Sequence, residues 1–200
     1  MKKLLVIGDR SDIAQAAIAI LKSRYKVVGV NRSTLDLAHP GAETIIRALL
    51  QQHQPDVVLN CAGIFQDNNL KSDFDATFDI NVKTQWSVIR YYIDNPPEKR
   101  VKFVMIGSST YRQGRRNFIL YAASRAAQYS MWQGASEYVS PMFTIGLINP
   151  VRVNTKHVAH IVHPNPAICL EAIDVAYEIE KMCDSMETHQ CIDMDYKKEI

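Results

Sequence analysis

Lys3-Leu4-Leu5-Val6-Ile7-Gly8-Asp9-Arg10-Ser11-Asp12-Ile13-Ala14 stands at the start of the chain, and its reading decides the fold. Lys3–Ile7 is a short apolar run that ends on a glycine, which reads as a strand buried on both faces. Asp12 is placed to cap a following helix, in which Ile13, Ala16, Ala17, Ile20 and Leu21 recur at helical spacing. A strand, a glycine turn and a helix N-terminus together offer free backbone N–H groups to an anion such as a dinucleotide pyrophosphate. Gly8 supplies the turn, and Ala14 is small enough for close packing. Two glycines of the dinucleotide fingerprint are missing, so this turn alone does not separate a cofactor site from an ordinary strand–turn–helix.

Working outward, the alternation continues. Lys26–Val30 reads as a strand followed by the polar turn Asn31-Arg32-Ser33, and Thr44–His53 as a helix. Pro55-Asp56 leads into the strand Val57-Val58-Leu59, and Phe74–Ile93 reads as one long helix stopped by Asn95-Pro96-Pro97. Val101–Ile106 and Met142–Ile148 read as strands on either side of a helix over Tyr121–Tyr138. A helix around Leu170–Cys183 and a short strand near Gln190–Ile192 finish the pattern. Alternating strands and helices with short links predict an α/β fold: a single Rossmann-type, doubly wound parallel sheet with helices on both faces. Residues 1–200 read as one domain. Ligands of such sheets bind beyond the carboxyl ends of the strands, which directs attention to Gly8–Ala14, Asn31–Ser33, Asn60–Gly63, Gly107–Thr110 and Asn149–Thr155.

Composition narrows the function classes. With 47% hydrophobic and 22% charged residues, the chain is ordinary for a globular protein. A net charge of +2 is too small to imply nucleic acid or an anionic membrane as partner. Cys61, Cys169, Cys183 and Cys191 form no CxxC pair and no disulfide framework. The first apolar run stops at Gly8-Asp9-Arg10, too short for a secretory h-region, and no stretch reaches the roughly 20 apolar residues of a membrane span. The expectation is a cytoplasmic protein.

Asn60-Cys61-Ala62-Gly63, directly after the third strand, offers small residues where a flat ring and a ribose need to approach the backbone. At this point the chain resembles the short-chain dehydrogenase/reductase family. Gly8–Ala14 is similar to that family's first motif, in its variant with Asp where a glycine is commoner. Asn60–Gly63 resembles its Asn-Asn-Ala-Gly motif, and Asp36-Leu37 its Asp-hydrophobic pair that lies against adenine. Pro150-Val151-Arg152-Val153-Asn154-Thr155 resembles its Pro-Gly-x-Val-x-Thr segment, with Val151 in place of glycine. The resemblance implies cofactor contacts from Gly8, Arg10, Ser11, Asp12, Ile13, Arg32, Asp36, Leu37, Asn60, Ala62, Gly63, Pro150, Val153 and Thr155. Arg32 stands where the family reads the adenosine ribose, and a guanidinium there favours a 2′-phosphate. With Arg10 assisting, the expected cofactor is NADP(H) rather than NAD(H). The alternative is that both arginines only face solvent.

Reducing a carbonyl with a hydride requires a proton donor beside the substrate oxygen and a partner that polarises it. Ser108 follows a strand, Tyr121 opens a helix, and Arg125 lies one turn beyond Tyr121 on the same helix face. A cation there stabilises a tyrosinate. The set resembles the family's Ser, Tyr and Tyr-x-x-x-Lys constellation, and Asn81 resembles its fourth residue, which supports a proton-relay water. Arg125 departs from the family's lysine. An arginine keeps the charge but cannot release a proton near neutral pH. Two readings stay open: Tyr121 as acid/base, or a retained fold with lost or altered chemistry. Tyr111 and Tyr129 read as packing or surface tyrosines.

Arg112, Arg115 and Arg116 lie between Ser108 and Tyr121, where they would clamp a phosphate or carboxylate or else form a solvated basic loop. Ser108–Arg115 and Ile148–Arg152 also resemble reductase domains associated with CDP-ribitol synthesis, which implies a sugar phosphate as substrate. His157, His160 and His163 are spaced by three without a supporting cysteine or carboxylate pattern, so no metal is expected. The helices over Phe74–Ile93 and Tyr121–Tyr138 correspond to those through which family members pair, implying a homodimer or homotetramer. Val82, Trp86, Tyr92, Met131 and Trp132 fit either that interface or the core. The expected function is NADP(H)-dependent reduction of a small polar carbonyl. The alternatives are a dinucleotide-binding sensor or scaffold and, last, a dehydratase or epimerase acting on a nucleotide sugar.

Overall fold

A computed structural model describes residues 1–65, 73–114, 116–138, 140–158 and 169–196. Strand β1 (Lys2–Ile7) leads to helix α1 (Asp12–Leu21), β2 (Tyr25–Val30), α2 (Ala42–His53) and β3 (Val57–Asn60). There follow α3 (Phe74–Phe78), a π-helical turn (Asp79–Lys83), α4 (Thr84–Asp94), β4 (Val101–Ile106), a 3-10 turn (Ser109–Arg112) and α5 (Ile119–Tyr138). The last part comprises β5 (Phe143–Pro150), β6 (Val153–Asn154), β7 (Leu170–Glu171), α6 (Ala172–Asp184) and β8 (His189–Met194).

Six strands form one sheet in the order β2-β1-β3-β4-β5-β8, with every pair parallel. Side chains alternate across it. Leu4 and Val6 face α1 and α6, packing with Ala17, Leu21 and Ile179, whereas Leu5 and Ile7 face α2 and α4, packing with Ile46, Leu50 and Val88. Helices therefore cover both faces, as the apolar strands require. Beyond β2 the chain adds no further strand but turns through residues 31–41 into α2, so β2 is an edge. The strand order reverses between β1 and β3, and a crevice opens beyond the carboxyl ends there.

The structure departs from the sequence expectation in several places. Ser11, not Asp12, caps α1: its side chain accepts from the Ala14 amide at 3.1 Å, and Asp12 is the first helical residue. The helix expected over Phe74–Ile93 is broken by the π turn at Asp79–Lys83. There the Asp79 carbonyl accepts from both the amide and the hydroxyl of Thr84, five residues on. A one-residue bulge of this kind leaves the apolar spacing almost unchanged, so periodicity misses it. The two-stranded β6–β7 sheet was also not foreseen, and it brings Val153 beside Leu170. Lys102, in the middle of the sheet, crosses to α6. Its ammonium donates to the carbonyls of Met182 and Ser185 at 2.9 and 2.8 Å, so it closes the helix C-terminus.

Candidate active site

The crevice begins at Gly8, whose φ of 81° lies in the left-handed region. A Cβ there would stand 2.6 Å from the Ala62 amide nitrogen, so both conformation and contact demand glycine. Asp9 takes the place of a second fingerprint glycine and finds room across the sheet. Its carboxylate fills the space where Gly29 has no Cβ and accepts from Asn31 Nδ2 at 2.9 Å. Asp12 points the other way. It accepts from the Lys156 amide at 2.7 Å, tying the start of α1 to the segment after β6. The backbone N–H groups of Asp12 and Ile13 have no acceptor among the described residues, which leaves the α1 N-terminus open to an anion.

Two adjoining cavities fill the crevice. The first, about 470 Å³, is lined by Gly8, Arg10, Ser11, Arg32, Asp36, Leu37, Ala62 and Gly63. Arg10 and Arg32 are exposed, and neither bonds to a described residue. Asn31 shapes the turn between them and the sheet, accepting from the amide and hydroxyl of Ser33. The second cavity, about 650 Å³, shares Arg10, Ser11, Ala62 and Gly63 and continues past Asp12, Ile13, Ser108, Tyr121, Arg125, Pro150, Val153 and Thr155. Cys61 lines both, and burial pushes its thiol up to about 12, so it stays protonated.

Asn60 and Asn81 lie beneath the cavities as buried braces. Asn60 Oδ1 accepts from the Ala62 amide at 2.9 Å. Asn81 Oδ1 accepts from the Ile64 amide at 2.8 Å, and its Nδ2 donates to the Ile64 carbonyl and to Ser124 Oγ, both at 3.0 Å. Both N–H groups of the Asn81 side chain are thus occupied by protein. The π turn directs that side chain inward, where it clamps the loop after β3 against α5.

Tyr121 is half-buried near the start of α5, and its hydroxyl bonds to no described residue. Phe65 meets its ring edge to face, with centroids 4.8 Å apart at 87°, and Phe118 lies 6.2 Å away. Both phenylalanines line the second cavity, and together they build an aromatic wall beside Tyr121. Ser108 caps the 3-10 turn, its Oγ accepting from the amide and hydroxyl of Thr110 at 3.3 and 3.0 Å. The guanidinium carbon of Arg125 stands 5.0 Å from the Tyr121 ring centroid, within cation–π range. Arg125 itself is buried, and its Nη1 donates to the Ile106 carbonyl and to Gln128 Oε1.

Of the arginines expected at the substrate, the two that are described, Arg112 and Arg116, do not gather at the cavities. Arg112 forms an ion pair with Asp193, whose carboxylate also accepts from the Tyr111 hydroxyl at 3.0 Å. Tyr111 in turn stacks on Tyr129 with centroids 4.1 Å apart, so this loop is fastened to β8. Arg112 and Arg116 line neither cavity, and Arg115 lies outside the described residues. Arg152 and Lys156 line the second cavity instead. His160, His163 and the His157 side chain lie outside the described residues as well. Among the described residues no cluster of three metal-ligating side chains forms. No helix of the described residues is long and apolar enough to cross a membrane. Tyr92 proves to be core, stacked on Phe143 at 4.5 Å, while Trp86 is exposed.

Phe65, Phe118, Gly29 and Gln128 escaped the sequence reading. Gln128 carried a signal, since a glutamine three residues after Arg125 on a buried helix face needs a partner. For Gly29 the only signal was its place inside a strand.

Comparison with known proteins supplies the context. The family model for short chain dehydrogenase matches residues 2–165. An NADPH-dependent pterin aldehyde reductase of Arabidopsis thaliana is 28% identical over 132 residues, covering 63% of this chain and 52% of that protein. The chain thus spans about half the length of the curated relative it matches. Among solved structures, a 3-ketoacyl-(acyl-carrier-protein) reductase from Brucella melitensis complexed with NADH superposes with a TM-score of 0.83, at 20% identity over 97% of this chain and 96% of that one. A short chain dehydrogenase from Burkholderia cenocepacia in complex with NADP gives 0.79, at 18% identity over 97% and 96%.

Proposed function

The chain belongs to the short-chain dehydrogenase family, and on that premise we propose that it reduces a small carbonyl compound with NADPH. The observation that carries the reading is the Tyr121 hydroxyl, without a partner among the described residues, in a cavity that adjoins the dinucleotide crevice and is also lined by Ser108. The residues present fit the cofactor. Open amides at Asp12 and Ile13 suit a pyrophosphate, and the small Ala62 and Gly63 admit a ribose. Arg10 and Arg32, both without a described partner, suit the 2′-phosphate that separates NADPH from NADH.

When bound, the cofactor supplies a hydride to the carbonyl carbon. Tyr121 donates the proton that the carbonyl oxygen needs, and the Ser108 hydroxyl orients that oxygen. The guanidinium of Arg125 is held against the Tyr121 ring, so a positive charge stands beside the proton donor during the reaction. The hydroxyl is recharged with a proton from solvent through the open cavity. Asn81 holds the loop that floors the site. The aromatic wall of Phe65 and Phe118 favours a substrate with a planar apolar portion. A sugar phosphate would meet Arg152 and Lys156, which line the cavity while also bonding to the Val158 carbonyl and to Asp12, rather than Arg112, which pairs with Asp193. A homodimer or homotetramer through α4 and α5 agrees with the exposure of Trp86, and sedimentation velocity tests it.

The near-complete burial of Arg125, which reaches the second cavity with little of its surface, favours one rival, a dinucleotide-binding sensor without turnover. Calorimetric titration with NADPH and NADH, followed by a panel of aryl aldehydes, aliphatic aldehydes and sugar phosphates, separates the two. The enzyme reading expects NADPH preference and turnover that Tyr121→Phe removes. NADPH binding without turnover across the panel supports the sensor, and binding of neither dinucleotide sinks both.

A further inference from the structure

Arg125 raises a physical problem that the proposed reaction does not explain. Its side chain is 6% exposed, yet among the described residues it forms no ion pair, and its Nε has no hydrogen-bond partner. A buried cation without a carboxylate is costly unless neutral acceptors surround it. Two do. Nη1 donates to the Ile106 carbonyl at 3.2 Å and to Gln128 Oε1 at 2.9 Å.

Gln128 completes a closed triangle. It is 1% exposed, and its Nε2 donates to the same Ile106 carbonyl at 3.2 Å. Both groups of its amide are therefore used, one to accept from the cation and one to hold the shared carbonyl. Ile106 ends β4, two residues before Ser108, so the triangle joins the strand that carries the serine to the helix that carries the tyrosine. The opposite side of the guanidinium is closed by backbone, since a Cβ on Gly63 would stand 2.5 Å from Arg125 Nη2. The cation is thus caught between Gly63 and Gln128, under the face of the Tyr121 ring.

We infer that Gln128 is a positioning residue for Arg125, and that the two operate as a unit in the carbonyl reduction proposed above. The inference rests on that reading for its kinetic consequence, but its structural core concerns where the guanidinium sits. An apolar side chain of similar length at 128 would fill the same volume against the sheet and remove one of two acceptors from a buried charge. The guanidinium would then turn out into the cavity, where water solvates it, and leave the tyrosine ring. An ammonium at 125 is compact and its stem flexible, so the Ile106 carbonyl and solvent satisfy it without help from Gln128. The two positions should consequently be coupled.

A double-mutant cycle tests this with Gln128→Met, Arg125→Lys and their combination, each confirmed folded by thermal unfolding. With the best carbonyl substrate of the native enzyme, Gln128→Met should lower kcat about tenfold and change the substrate KM less than about twofold. In the Arg125→Lys background the same change should alter kcat less than about twofold. Gln128→Glu, which keeps an acceptor for the guanidinium, should retain most of the native rate. Equal losses in both backgrounds, or no loss in either, would overturn the inference. NADPH affinity, measured calorimetrically on the same four proteins, gives a readout that needs no turnover. If no carbonyl is reduced, the functional reading fails, while coupling in the NADPH dissociation constant still supports the triangle and its absence rejects it. Should Gln128→Met not fold, Gln128→Asn shortens the same amide and takes its place with the same expected pattern.

Discussion

The turn after β1 and the helix face of α5 each carry a residue that departs from the family pattern, and the chain accommodates them by opposite means. Asp9 brings a side chain where a fingerprint glycine is commoner, and Gly29 on the neighbouring strand gives it room. Arg125 brings a larger cation where a lysine is commoner, and Gln128 and Ile106 give it acceptors. In the first case the misfit is one of volume, and a missing Cβ resolves it. In the second the misfit is one of charge, and only hydrogen-bonding oxygens can resolve it. The consequence differs too. Asp9 becomes part of the frame around the cofactor crevice, while Arg125 remains a charge beside the tyrosine expected to do chemistry.

The largest expected effect lies at the chemical end. Tyr121→Phe should reduce carbonyl-dependent NADPH oxidation by about 10²–10⁴-fold while leaving NADPH affinity near native. If affinity collapses with it, the two ends of the crevice are not separable, and the comparison breaks. Next comes the frame. Gly29→Ala should destabilise the fold by about 1–3 kcal/mol in urea titration, because the new Cβ meets the Asp9 carboxylate. Adding Asp9→Gly should return most of that loss. Simple additivity of the two changes would show that shared space is not what links them.

Smaller effects sharpen the picture at the cofactor end. Arg32→Glu should weaken NADPH binding about tenfold while sparing NADH, since it places a carboxylate where a phosphate is expected. An equal change for both cofactors would mean that Arg32 does not read the 2′ position. Ser11→Ala, which removes the cap accepted from the Ala14 amide, should cost about 1 kcal/mol in the same urea titration. A null result there would point to Asp12 as an adequate substitute cap.

Much of the fold was legible because its signals are local. Lys3–Ile7, Val57–Leu59 and Val101–Ile106 were readable as strands from their short, mostly apolar runs, and the sheet contains all three. The turn segments at the strand ends stood out in the sequence as small and polar, and residues from each of them line the cavities. The bulge at Asp79–Lys83 was not readable, because an extra residue in one turn barely disturbs helical periodicity. Nor was the fate of the basic loop. Nothing near Arg112 in the chain hints that Asp193 will neutralise it.

By itself, the order of residues determined the alternation of strands and helices, the glycine turn at Gly8, and the family motifs that mark the crevice. Each of these depends on neighbours a few positions apart, which backbone sterics and side-chain periodicity couple directly. The tertiary structure alone decided which arginine does what. The bond from Arg125 to Ile106 spans 19 positions, and that from Tyr111 to Asp193 spans 82. Contacts of that range exist only once the sheet order has set β4 beside β5 and β5 beside β8. Charge is carried by the residue, but whether it meets a carboxylate, a neutral carbonyl or an open cavity is a property of the packed fold.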